Sequence, residues 1–120
     1  MVKSKAALKR KYDKMAREIV FARDRMRCRR CGKRPPEIQL QWAHIYSRRY
    51  LCLRWDPGNA LALCAGCHFW IHANPMDGAE FVRDTVGADE VTRLRLSLAE
   101  SRKPDLEAIG LRLTELLAAT

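Results

Sequence analysis

The sequence predicts an α+β domain that is mostly helical, with a small ββα core stapled by a metal site. Three observations lead there. Apolar residues recur near a 3.6-residue period at both ends of the chain, whereas only two short central segments read as strands. Two Cys-x-x-Cys pairs, Cys28/Cys31 and Cys64/Cys67, bracket those strands. The length, 120 residues, suits one domain whose core is small enough to benefit from a staple.

Residues 4–26 predict a single helix. Ala7, Leu8, Tyr12, Met15, Ile19 and Met26 fall near the helical period, Val20, Phe21 and Ala22 widen the stripe, and no Gly or Pro interrupts. The opposite face carries Lys9, Lys11, Lys14, Arg17, Arg23 and Arg25. The run from Cys28 to Cys31 and on to Pro35-Pro36 is a tight loop ended by two prolines. Ile38, Leu40 and Trp42 alternate with Gln39 and Gln41, the pattern of a strand with one buried face. Residues 46–58 read as a polar loop closed by the turn signal Asp56-Pro57-Gly58-Asn59. Residues 60–63 can form a second strand, after which Cys64 to His72 enters a helix. Past Asn74-Pro75, helical patterns cover about 77–86, 89–100 and 105–119, separated by Gly87 and Pro104. The chain therefore divides into a basic helix (1–27), a central core (28–75) and a helical part (76–120) of one domain, without internal repeats. Trp42, Trp55, Phe69 and Trp70 are core candidates.

Charge is distributed unevenly. The first 34 residues hold 14 Lys and Arg against 3 Asp and Glu, a net of +11, and the remainder is left at −2 of the overall +9. Such a block attracts a polyanion by neutralising phosphates and releasing counterions; the plainer alternative is a solvated helix face. No apolar run approaches the roughly 18 residues of a membrane span, and no apolar signal segment follows the basic start. A reducing cytoplasm is the expected compartment, so the cysteines read first as metal ligands.

Two Cys-x-x-Cys knuckles supply four thiolates, enough to complete a tetrahedral Zn2+ site that makes metal binding part of folding. The alternative is four ordinary buried thiols. Thirty-two residues separate the pairs, more than a zinc ribbon's usual spacing, and that insert contains His44 and Asn59. Cys52 is left over as a plain loop or core thiol.

The segments Trp42-Ala43-His44-Ile45-Tyr46-Ser47-Arg48-Arg49 and Arg54-Trp55-Asp56-Pro57-Gly58-Asn59, running on to Cys64, Cys67, His68 and His72, resemble the HNH endonuclease family. The likeness spans residues 28–75 and lies closest to phage and prophage members with a flanking zinc knuckle, with a fainter similarity to NinG-like recombination proteins. It implies a ββα-metal (His-Me finger) core and metal-dependent hydrolysis of DNA phosphodiesters, leaving 5′-phosphate and 3′-hydroxyl ends. His44 would be the general base and Asn59 the residue that holds the hairpin. His68 would ligate a catalytic divalent ion such as Mg2+ or Mn2+. A neutral imidazole suits the base's task near neutral pH. The sequence departs from the family at Ala43, where many members carry a metal-ligating Asp or His.

Several alternatives stay open beside these roles. His68 follows a Cys pair directly and could instead ligate the structural zinc. His72, at i+4 from His68, could be a second ligand, a phosphate contact or a packing residue. Asn59 could be a plain turn former. Arg48, Arg49 and Arg54 sit where a guanidinium could clamp a phosphate, and Lys9, Lys11, Lys14 and Arg17 could lie along the DNA backbone. The apolar stripe at 106–117 could pack internally or pair with a second copy, leaving monomer or homodimer undecided. A zinc module that binds nucleic acid without cutting it, or a phage accessory protein that recruits a larger enzyme, would share the charge and the Cys pairs.

Overall fold

The computed structural model describes residues 4–120. Its described part is α+β and mostly helical: six α-helices and a two-stranded antiparallel sheet. The helices are α1 (Lys5–Arg23), α2 (Leu51–Arg54), α3 (Ala65–Ala73), α4 (Pro75–Val86), α5 (Ala88–Glu100) and α6 (Leu106–Ala118). The strands are β1 (Leu40–His44) and β2 (Ala60–Cys64), paired from Leu40 opposite Cys64 to His44 opposite Ala60.

α1 starts where the Ser4 hydroxyl accepts the Ala7 amide at 3.1 Å, a conventional N-cap. It ends at Arg23, three residues short of the sequence expectation, because Asp24 turns inward and Arg25 and Met26 adopt left-handed φ values of 57° and 55°. Met26 is consequently exposed rather than part of the stripe. Asp24, only 5% exposed, accepts Arg23 Nε at 2.8 Å, Arg29 Nη1 at 2.6 Å and the Ala62 amide at 2.9 Å. The Arg29 amide in turn donates to the Ala62 carbonyl at 2.9 Å. One buried carboxylate thus ties the end of α1 and the first Cys knuckle to β2. Arg23 and Arg29 are therefore partly committed to the fold, not left wholly to a polyanion.

β1 starts two residues later than its alternation suggests, at Leu40. The expected polar loop at 46–58 contains the short helix α2 and a 3-10 turn at Pro57–Asn59. β2 is buried along its whole length because both faces of the sheet are covered. Ala43, Leu61 and Leu63 share the face that packs with Ile71, Phe81 and Val86 of α3 and α4. Trp42 projects to the other face, where Tyr12, Ala16, Ile19, Trp55 and Leu113 bring α1 and α6 together. Gly110 permits that approach, since a Cβ there would strike the Tyr12 ring. Two of the four expected core aromatics differ: Phe69 is 73% exposed on α3, and Trp70 is half-buried beneath the Arg30 guanidinium, 3.6 Å from its ring. Among the described residues no helix is long and apolar enough to cross a membrane.

Candidate active site and metal centre

The four paired cysteines converge. All four sulfurs lie within 4.8 Å of one another, with Cys31 and Cys64 at 3.8 Å. A disulfide needs about 2.05 Å, whereas a tetrahedral zinc with bonds of about 2.3 Å spaces its sulfurs roughly 3.8 Å apart. The cluster could hold a zinc ion. Each knuckle has the same turn: the Cys31 amide donates to Cys28 Sγ at 3.5 Å and the Cys67 amide to Cys64 Sγ at 3.4 Å. Cys64 is thereby the N-cap of α3, which aims the helix N-terminus at a thiolate. Burial works against ionising Cys28, but the backbone N–H groups of Cys31, Cys64 and Arg30 outweigh it and bring that thiol from 9.0 down to about 6. Burial pushes the Cys67 thiol up to about 12, against the pull of Arg30, whose Nη1 stands 3.5 Å from its sulfur. Cys52 is half-buried and outside the cluster.

His44 ends β1. Its Nε2 lies 2.9 Å from the Arg54 carbonyl oxygen. A carbonyl can only accept, so Nε2 carries the proton and Nδ1 is left as the ring's acceptor. Trp42 meets the imidazole edge-on, 4.2 Å between ring centroids and 60° between planes, and restricts its rotation. Burial, then the cations of Arg48 and Arg54, hold His44 below its ordinary value of 6.5 despite the carbonyl contact and Asp13. The shift favours the neutral ring, the form a proton acceptor needs.

Asn59 is fully buried and braces the loop after His44. Its Oδ1 accepts the Tyr46 amide at 2.8 Å, and its Nδ2 donates to the carbonyls of Tyr46 at 3.0 Å and Leu53 at 3.1 Å. The Ile45 amide adds a 2.8 Å bond to the Asn59 carbonyl. Its side chain therefore does more than form a turn.

His68 stands on the first turn of α3, with Nδ1 2.7 Å from Gln41 Oε1. With the amide oxygen as acceptor, Nδ1 carries the proton and Nε2 keeps a lone pair for a metal. His72 is one turn further on, its ring centroid 4.9 Å from that of His68. Burial, then His72, lowers the His68 pKa below 6.5. Strand alternation sends His44 toward the Trp42 face and Gln41 toward α3, so the two imidazoles do not face each other squarely across the strand. They meet instead around its end. One cavity of about 340 Å³ is lined by His44, His68 and His72, which are all the histidines in the chain. Among the described residues the Cys cluster is nonetheless the one group of three or more His, Cys, Asp or Glu ligand atoms close enough to share an ion. Ala43 lines the same cavity and offers no ligand atom.

The loop arginines are engaged. Arg54 grips Asp13 with Nε at 2.9 Å and Nη2 at 2.6 Å, and Arg48 Nη2 reaches the same carboxylate at 3.2 Å. Arg49 Nη2 donates to the Tyr50 hydroxyl at 2.9 Å. On α1, Lys11, Lys14 and Arg17 are exposed and Lys9 half-exposed. Sequence reasoning missed Asp13, Gln41 and Arg30. Asp13 carried one signal, an isolated acid flanking the apolar stripe of an otherwise basic helix; Gln41 carried only its place beside the strand's end.

Comparison with protein-family models, curated proteins and solved structures finds no match.

Proposed function

We propose that the chain is a zinc-stapled, metal-dependent DNA endonuclease or nickase of the HNH, ββα-metal type. The observation that carries this reading is the gathering of all three histidines around one cavity, with His44 oriented by a backbone carbonyl and His68 by Gln41.

In this reading His44 Nδ1 takes a proton from a water whose oxygen attacks the scissile phosphorus. The bond from phosphorus to the 3′ oxygen breaks and that oxygen takes a proton from solvent water, giving a 5′-phosphate and a 3′-hydroxyl. Asn59 keeps the loop, and with it the base, in register. Gln41 holds His68 in the tautomer that presents Nε2, and His72 offers a second nitrogen beside it. A divalent ion such as Mg2+ or Mn2+, when bound there, supplies positive charge to the phosphate and the departing oxygen. Ala43 leaves that ion fewer protein ligands than the family usually provides, so its affinity in the absence of DNA should be low. The exposed cations of α1 would rest on phosphates, which position a duplex without reading its sequence.

A plasmid relaxation assay on the zinc-loaded protein with Mg2+, Mn2+, Ni2+ or no added divalent metal, run beside His44→Ala, tests the reading. Metal-dependent relaxation that His44→Ala abolishes is the expected result. Equal cutting by His44→Ala overturns the assignment of the base. DNA retention on a gel without cutting under any metal would favour the second reading, a zinc-stapled DNA-binding module, for which Ala43 is the specific observation. Neither cutting nor retention would leave the accessory role.

A further inference from the structure

The cavity that gathers the histidines contains one charge that pH cannot remove. α4 contributes Pro75, Gly78, Ala79, Val82 and Arg83 to its wall. That spacing is one continuous face of a helix, and Arg83 is its single charged member. Arg83 is exposed and takes part in no ion pair among the described residues. Arg48, Arg49 and Arg54 are absent from the cavity wall and hold the internal partners described above. The base of the Arg83 side chain is also well fixed. Gly78, one and a half turns earlier on α4, packs so closely on α3 that a Cβ would come within 2.8 Å of the Ile71 carbonyl oxygen. The Gly78 amide donates to the Asn74 carbonyl at 2.7 Å.

We propose that Arg83 is a catalytic residue that clamps the scissile phosphate in this cavity, in place of the loop arginines. The inference rests on the nuclease reading and names the residue that the reading lacks. A guanidinium presents a planar fork of N–H donors that matches two non-bridging phosphate oxygens. Charge on those oxygens grows as water attacks, so the clamp acts mainly on the rate of the chemical step and little on ground-state affinity.

The full-length zinc-loaded protein, with Arg83→Gln and Arg83→Lys, provides the test. Single-turnover cleavage of a short duplex should slow about 100-fold in Arg83→Gln, with Arg83→Lys recovering part of the loss. Duplex affinity measured on the zinc-loaded protein with no other divalent metal added should change less than about threefold, because one phosphate contact among many is removed. An Arg83→Gln variant that cuts at the parent rate overturns the clamp and leaves the nuclease reading intact. If the parent fails to cut under every metal tested, the nuclease reading fails, and NMR decides the phosphate contact by itself. The Arg83 Nε–H resonance should shift when metal-free duplex is titrated into the zinc-loaded protein. A resonance that stays still while those of α1 move overturns the proposal.

Discussion

Asp13 and Arg54 form a two-pronged ion pair, Oδ1 to Nε at 2.9 Å and Oδ2 to Nη2 at 2.6 Å, that joins α1 to the loop beneath His44. The same carboxylate accepts Trp55 Nε1 at 2.8 Å, and the Arg54 carbonyl is the group that receives His44 Nε2. The first helix thus reaches the imidazole through two residues. Asp13→Ala removes a shared acceptor from a guanidinium only 16% exposed in its side chain and from a buried indole N–H. We expect a loss of about 2 kcal/mol in urea unfolding. Cleavage should fall by more than that loss of folded protein explains, because the carbonyl under His44 is no longer anchored.

Acid should unfold the protein through two carboxylates. Burial opposes the ionisation of both Asp13 and Asp24, yet the hydrogen bonds from Arg54 and Trp55 to the first, and from Arg23 and Ala62 to the second, bring both below the ordinary value of 3.8. A carboxylate whose folded pKa is depressed contributes stability that is complete above its unfolded pKa and is lost as pH falls through the folded one. The contribution of these two carboxylates should therefore hold steady down to about pH 4 and be lost below it. It lies beneath an earlier decline in melting temperature that begins near pH 6.5, where the unfolded chain protonates His44 and His68 before the folded one does. The drop below about pH 4 should be shallower in Asp24→Asn, which has one titrating group fewer.

Removing one sulfur should cost the whole fold. Cys28→Ser leaves three thiolates for the ion and separates the end of α1 from the start of α3. We expect the parent to hold about one zinc per chain, the variant well below that, and the cooperative melt to disappear in the variant. Cys52→Ser, outside the cluster, should keep both.

Asn59→Ala deletes the three hydrogen bonds of a fully buried side chain and strands the Tyr46 amide and the Tyr46 and Leu53 carbonyls. A destabilisation of about 3 kcal/mol should appear in chemical denaturation. Asn59→Asp should fare no better, because its carboxylate would face two carbonyl oxygens.

Gln41→Leu frees the His68 ring to choose either tautomer while leaving the Cys cluster untouched. Titration with Mn2+, followed by electron paramagnetic resonance, should show affinity reduced about 10- to 100-fold, the usual loss when a ligand's supporting group is removed. Zinc content should not change.

The paired cysteines, the two strands and the five longer helices were legible because each rests on local spacing, and their bounds fall within a few residues of expectation. What local spacing missed was decided by contacts distant in the chain. Asp24 ends α1 because its carboxylate bonds to the Ala62 amide, 38 residues away. α2 hides in a polar stretch because Leu53 is buried. Phe69 reads as core by composition, but its position on α3 turns it to solvent. At the site, His44, Asn59, His68 and His72 carried a pattern. Arg54, expected to meet phosphate, is committed to Asp13, a partner 41 residues away that no motif encodes.

The Asp24 and Arg29 contacts with Ala62 have one more effect. They satisfy the amide and carbonyl that β2 would otherwise turn toward solvent on the side away from β1. A short, wholly apolar strand with an open margin would recruit strands from other molecules and seed aggregation. Here a carboxylate and a knuckle amide occupy that margin, so a chain whose first Cys knuckle comes apart exposes an adhesive border as well as unfolding.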